Sequence, residues 1–314
     1  MVEEMDRDER IFLIGEEVAQ YNGAYKVSEG MLERFGEKRV IDTPISENGF
    51  AGLGVGAAMS GLRPIVEFMT FNFSFVAVDQ LINNAAKIRY MSGGQFGVPI
   101  VFRGPNGPAG QLGATHNTST ESIYSTIPGL KVISPSNPDD AKGLLKSAIR
   151  DDDPVVFLES EVMYGMKGEV SDEADYTIPI GKARIGREGT DVTIVAMGKS
   201  YWLALNTADL LAKDGFAAEV IDPRTIRPFD IESVVESVKK TNRCVIIDES
   251  NPFASISSEV TYQIQERAFD FLDAPVLRIT AKDTPAPYAR NLMDYYMPQV
   301  KDAYDACRKV MYVN

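Results

Sequence analysis

Histidine and cysteine are nearly absent from this chain, and that scarcity removes whole classes of chemistry. His116 is the only histidine, so a metal centre that needs several imidazoles cannot be assembled from this chain alone. The two cysteines, Cys244 in the apolar run CVII and Cys307 in a C-terminal helical pattern, supply neither a disulfide framework nor a zinc spacing. No apolar run approaches the roughly 20 residues that a membrane helix requires, so no membrane span is expected. Positive charge is in deficit as well. Lys and Arg number 32 against 45 for Asp and Glu, a net −13, which disfavours nucleic acid and anionic membranes and favours a basic protein partner. The N-terminal MVEEMDRDER is acidic where a secretory leader is basic and then apolar, and where a mitochondrial transit peptide is acid-poor. A cytoplasmic chain, or a processed form in the mitochondrial matrix, is therefore expected. Missing too are GxGxxG, a Walker phosphate loop and a GxSxG nucleophile elbow.

What is present is the composition of a folded protein: 44% hydrophobic and 25% charged residues over 314 positions, enough chain for two domains. Apolar strand patterns (RIFLIG, RVIDTPI, PIVEFMT, VPIVFRG, KVISP, PVVFLES) alternate with helical ones, among them KVSEGMLERFG, SENGFAGLGVGAAMSG, FVAVDQLINNAAKIRYMS and NPDDAKGLLKSAIR. Strands separated by helices imply βαβ units and a parallel sheet, which binds ligands at the carboxyl ends of its strands. A second alternation begins at DVTIVAMG and closes with the helix PQVKDAYDACRKV. The expected fold class is α/β, two parallel or mostly parallel sheet domains with flanking helices, spanning 1–175 and 191–314 with a linker at 176–190.

Four segments are candidates for chemistry. In DTPISENGF, Ser46 is placed to cap a helix, which sets Glu47 at a strand's carboxyl end in the helix's first turn; there it either complements the helix dipole or serves a bound group. Gly49, Gly52, Gly54, Gly56 and Gly61 each cost that helix about 1 kcal/mol against Ala, so a neighbouring element or a ligand must approach it closely. Met69, Phe71, Phe73 and Phe75 in EFMTFNFSF read as core or as walls for a flat ring. VFRGPNGPAGQLGATHN is a buried strand that becomes a Gly- and Pro-rich loop ending at His116, either a proton-transfer group or a hydrogen-bonded structural residue. Asp151, Asp152 and Asp153 stand at the negative end of a helix dipole, facing solvent beside Arg150 and Lys146 or compensated by a bound cation.

LIGEEVAQYNGAYKVSEG, DTPISENGFAGLGVGAAMSGLRPIVEFMTFNF, INNAAKIRYMSGGQ, VPIVFRGPNG and PGLKVISPSNPDDAKGLLKSAIRD together closely resemble the beta subunits of pyruvate dehydrogenase. The resemblance continues through IGKARI, IDPRTIRPFD and FDFLDAPVLRIT to the C-terminus. It implies a transketolase-like pyrimidine-binding domain followed by a transketolase C-terminal domain. It also implies a thiamine diphosphate site shared with an alpha subunit in an α2β2 heterotetramer. The alpha chain would carry the GDG motif for Mg2+ and diphosphate, a motif this sequence lacks.

Carried over residue by residue, the resemblance makes Glu47 the group that hydrogen-bonds the pyrimidine ring and relays a proton. It places Ile45, Met69 and Phe73 with Glu47 around the cofactor and His116 among the catalytic residues. It assigns a potassium ion to Ile100, Ala148, Ile149, Asp151 and Asp153. The reaction implied is decarboxylation of pyruvate with reductive acetylation of lipoyl groups on a dihydrolipoyl acetyltransferase, leading to acetyl-CoA. Branched-chain 2-oxo acid and acetoin dehydrogenase beta subunits are enzymatic alternatives, and a non-catalytic assembly subunit is one of another class. Departures from the family's pattern are Asn48 after Glu47, Thr126, the run Ser250-Asn251-Pro252, and Asp153.

Overall fold

Apolar strand runs build the first unit. In the computed structural model, which describes residues 1–313, β1 (Ile11–Gly15), β4 (Val101–Asn106) and β6 (Val155–Ser160) are buried along their whole length. β3 (Arg63–Glu67) is buried beyond its first residue. Strands of this kind need cover on both faces, which is the condition of a parallel sheet. With β2 (Val40–Asp42) and β5 (Lys131–Ile133) they lie in the spatial order β5-β6-β4-β3-β1-β2, and every pairing among them is parallel. The helices of this half of the chain are α1 (Val2–Arg7), α2 (Met31–Phe35), α3 (Glu47–Met59), α4 (Ile88–Met91), α5 (Glu121–Ser125) and α6 (Pro138–Arg150). Met5, Leu13, Ile65, Val101, Leu144 and Phe157 belong to one core that joins α1, α6 and the sheet.

Two expected helices are interrupted. Lys26 and Gly30 take left-handed backbone angles, φ 61° and 75°, so only Met31–Phe35 of the 26–36 segment is helical. The 75–92 segment breaks into a 3-10 turn at Phe71–Ala77, a π-helical stretch at Gln80–Ala85 and α4. Gln80, at the head of the π-helical stretch, lies against Gly52 of α3 and donates to the Asn48 side chain, so a neighbouring element shapes this segment. Close neighbours account for two glycines of α3, whereas a Cβ on Gly56, or on Gly61 beyond the helix, would meet nothing within 4 Å. A Cβ on Gly54 would stand 2.7 Å from the Val66 side chain of β3, and one on Gly52 would stand 3.2 Å from Gln80, so sheet and π-helical stretch are the close neighbours.

The second unit comprises Gly107–Ser122, Ser134–Ser136 and Gly181 onward. Its sheet runs β12-β11-β8-β9-β7, from β7 (Arg184–Arg187), β8 (Val192–Ala196), β9 (Ala218–Asp222), β11 (Cys244–Ile247) and β12 (Leu277–Ile279), with a short β10 (Thr225–Arg227) after β9. All its pairings are parallel except β7 with β9. Its helices are α7 (Ser200–Lys213), α8 (Ile231–Thr241), α9 (Ile256–Ala268), α10 (Arg290–Tyr296) and α11 (Val300–Val310). The 176–190 stretch expected as linker therefore contains an edge strand, whose pattern is hidden because Arg184–Arg187 is half exposed. The boundary also differs. The loop that carries His116 packs with the second unit although it is flanked in sequence by first-unit strands. Cys244 and Cys307 are free and buried. No described helix is long and apolar enough to cross a membrane.

Candidate active site

Strand register brings the first pair of functional groups together. Gly15 at the end of β1 lies opposite Asp42 at the end of β2, so the residues that follow both strands emerge at one edge of the sheet. Glu16 follows β1 directly, and Glu47 opens α3 after β2. Both are only 6% exposed. Burial pushes the Glu16 carboxyl up to about 7, helped by the charge of Glu47 beside it and a hydrogen bond between the two. Glu16 Oε1 has no hydrogen-bond partner among the described residues. Ser46 occupies the N-cap of α3 as expected, but its hydroxyl makes no capping bond. A Cβ on Gly49 would meet that hydroxyl at 2.9 Å.

The aromatic segment divides its work. Phe71 is fully buried and packs edge-on against Phe68 and Tyr124, at 5.4 Å in both cases, so it is core. Met69 and Phe73 are half-buried, and Phe75 and Ile45 are exposed, Ile45 at 82%. Ile45, Glu47, Met69 and Phe73 thus lie on segments that follow β2 and β3, with Glu47 alone deeply buried. Asn48 is exposed and accepts a hydrogen bond from Gln80.

Behind these strands lies a buried ionic triad. Arg103, on β4, donates to Glu67 at the end of β3 and holds Glu159 on β6 with two nitrogens. The Tyr164 hydroxyl donates to Glu159 at 2.5 Å. Burial pushes the Glu67 carboxyl up against the pull of Arg103.

The three acids after α6 have partners other than the expected ones. Lys131 takes both oxygens of Asp151 at 2.7 Å and one of Asp153 at 3.3 Å. Arg63 bonds Asp152 and the carbonyls of Ile149 and Asp151, and Arg89 pairs with Asp153. The Ile100 carbonyl accepts from Val155, and that of Ala148 from Asp151. Arg150 and Lys146 turn instead to Glu4 and Glu3, drawn by the buried Glu4 carboxylate of α1, a distant segment that local sequence does not reveal. Among the described residues no cluster of His, Cys, Asp and Glu is arranged to hold a metal ion.

His116 sits half-buried on its loop in the second unit, with Nδ1 3.0 Å from the Thr115 hydroxyl. Asn117 closes the loop beneath it, accepting from the Ala109 amide at 2.9 Å and donating to the Gly113 carbonyl at 2.7 Å. A cavity of about 470 Å³ opens beside Ala114, Asn117 and Thr118, walled by Asn251, Phe253 and Tyr296. Asn251 spends its side-chain amide on the Lys282 and Thr284 carbonyls. At the loop's far end, burial and the carboxylates of Glu249 and Asp248 push Glu121 up to about 8.

The sequence reading missed Glu16, Lys199 and Glu249. The signal was available: each closely follows an apolar strand, the position that singled out Glu47.

This architecture places the chain in the transketolase class. Residues 1–167 match the family described as transketolase, pyrimidine binding domain, and residues 181–302 the transketolase C-terminal domain. A solved structure titled split gene transketolase, inactive beta4 tetramer, superposes with a TM-score of 0.81 at 21% identity, covering 99% of this chain and 95% of the other. Within that class, the chain belongs to the pyruvate dehydrogenase E1 component beta-subunit family. It is 54% identical to the member from Rhizobium meliloti (strain 1021), over 99% of this chain and 68% of the relative. It is 53% identical to that of Rickettsia bellii, over 100% and 96%, and 55% identical to the mitochondrial one of Homo sapiens, over 99% and 88%.

Proposed function

We propose that this chain, with a separate alpha subunit in an α2β2 heterotetramer, forms the pyruvate-decarboxylating component of a pyruvate dehydrogenase complex. One observation carries the site assignment: Glu47 is buried at a strand's carboxyl end beside Glu16, a second acid that burial holds protonated to near neutrality. Thiamine diphosphate, when bound, supplies the electron sink for 2-oxo acid decarboxylation. The first unit fits its aminopyrimidine half, since Glu16 Oε1 is an unsatisfied buried acceptor and Met69 and Phe73 are half-buried beside strand ends. Glu47 would hydrogen-bond the ring nitrogen and move a proton there. Glu16 would hold a proton beside Glu47. Ile45, Met69 and Phe73 would orient the ring, and Mg2+ and diphosphate would be held mainly by the alpha subunit.

His116 would position substrate or transfer a proton during acetylation of lipoyl groups on the dihydrolipoyl acetyltransferase. A potassium ion at the carboxyl end of α6 belongs to the same reading. It is supported by the meeting of the Asp151 and Asp153 carboxylates at a single ammonium, and its competitors there are Lys131 itself and Arg63, which holds the Ile149 carbonyl. The kinship of bacterial and mitochondrial relatives is compatible with a bacterial cytoplasm or a mitochondrial matrix.

The test is co-expression with candidate alpha chains and decarboxylation assays with pyruvate, branched-chain 2-oxo acids and acetoin. Turnover of pyruvate that requires the alpha chain is the expected result. Preference for a branched-chain acid or acetoin, or no turnover with any alpha chain, overturns the reading.

A further inference from the structure

We propose that Lys199 and Glu249 form a clamp that positions the loop carrying His116, and so act as positioning residues for that imidazole. The inference rests on the reading that His116 works in the active site.

The clamp follows from the second sheet. β8 and β11 are parallel neighbours with Ala196 opposite Ile247, so Lys199 and Glu249, a few residues further along, leave the sheet at the same edge. The Lys199 ammonium lies 2.8 Å from the Glu249 carboxylate, and their side chains are only 16% and 9% exposed. The same ammonium donates to the carbonyl of Pro108, the second residue of the loop. Glu249 presses on the first. Gly107 has φ 77°, and a Cβ there would stand 2.2 Å from Glu249 Oε1, so the loop's entry is shaped to the carboxylate.

From that entry a chain of bonds reaches the histidine. The Gly107 amide donates to the Thr118 carbonyl at 3.3 Å, and the Ala109 amide donates to the Asn117 side chain, next in sequence to His116. Glu121, at the loop's exit, faces Lys199, Asp248 and Glu249, so both ends of the loop meet one charged cluster. Asp248 does not compete for the ammonium, because its oxygens take Ser250 and the Ser257 amide. Removing Lys199 leaves Glu249 buried and unpaired and frees the Pro108 carbonyl, and removing Glu249 takes away the carboxylate that holds the ammonium beside the loop, so in either case the loop should lose its fixed path.

A single histidine makes the test direct. In the α2β2 assembly, with [13C]histidine introduced into this chain alone, one imidazole signal reports the loop. Lys199→Ala and Glu249→Gln should shift or broaden that signal and slow lipoyl acetylation about tenfold or more, since small misplacements of a reacting group are costly. Lys199→Arg, which retains the charge, should restore part of both. If Lys199→Ala fails to assemble, Glu249→Gln and Lys199→Arg carry the same readings. An unchanged signal with unchanged acetylation overturns the clamp, and so does a lowered melting temperature with both unchanged. Acetylation untouched by His116→Ala would instead overturn the role of His116, while the imidazole signal still judges the clamp.

Discussion

The carboxyl of Glu16 stands beside that of Glu47 at adjoining strand ends, and burial, with the Glu47 charge adding to it, raises the Glu16 titration to about 7. An acid raised above its unfolded value gives stability that is complete at pH below that unfolded value and is lost as pH rises through 7. Glu16→Gln keeps the neutral shape and removes the titration. Its denaturation midpoint should fall less than that of the wild type between about pH 5 and 8. In the reconstituted enzyme, the pH profile of decarboxylation should lose a limb near 7. Profiles that superpose would separate Glu16 from the work of Glu47.

Glu47→Gln should still allow thiamine diphosphate to bind the heterotetramer, because an amide hydrogen-bonds, but should slow turnover about 10²-fold or more, because it cannot relay a proton. The isolated chain should neither bind the cofactor tightly nor decarboxylate pyruvate. Calorimetry with and without the alpha subunit, together with single-turnover assays, decides both points.

Glu121 makes the second pH prediction. It is buried against Glu249 and Asp248 and pushed up to about 8, so its contribution is present at acid pH and drains away as pH rises toward 8. A single proton bound in the folded state alone gives a slope of about 1.4 kcal/mol per pH unit at most. Glu121→Gln should flatten the dependence of unfolding free energy on pH across that window. An equal slope in both proteins would show that other groups set it.

The potassium proposal predicts that potassium chloride raises the melting temperature more than equal tetramethylammonium chloride, since a ligand of the folded state stabilises by mass action. Lys131→Gln removes the ammonium that occupies Asp151 and should widen the difference. Identical melting in the two salts, in both proteins, would leave Lys131, Arg63 and Arg89 as the only cations the α6 terminus uses.

Arg103→Met should destabilise the chain by about 3–5 kcal/mol, because it strands Glu67 and Glu159 in the core. The triple replacement that also makes both acids Gln should recover much of that loss. Chemical denaturation of the three proteins measures it, and equal losses in the single and triple variants would mean that packing around Arg103 matters more than charge.

By itself the sequence determined the alternation of strands and helices, because buried parallel strands must be apolar along their length: RIFLIG, VPIVFRG and PVVFLES are legible one segment at a time. It determined Glu47 as a candidate for the same local reason, an acid opening a helix just after a strand. It did not determine which charges meet. Lys131 with Asp151, Arg150 with Glu4 and Lys199 with Glu249 join residues distant in sequence, and only strand order and register bring them together. The break of the 75–92 helix and the hidden edge strand at Arg184–Arg187 were likewise decided by neighbours, since Gln80 lies against Gly52 and β7 exists only through its pairing with β9. Glu16 became visible when β1 and β2 were set side by side: its high titration comes from burial and from Glu47, neither of which a linear sequence contains.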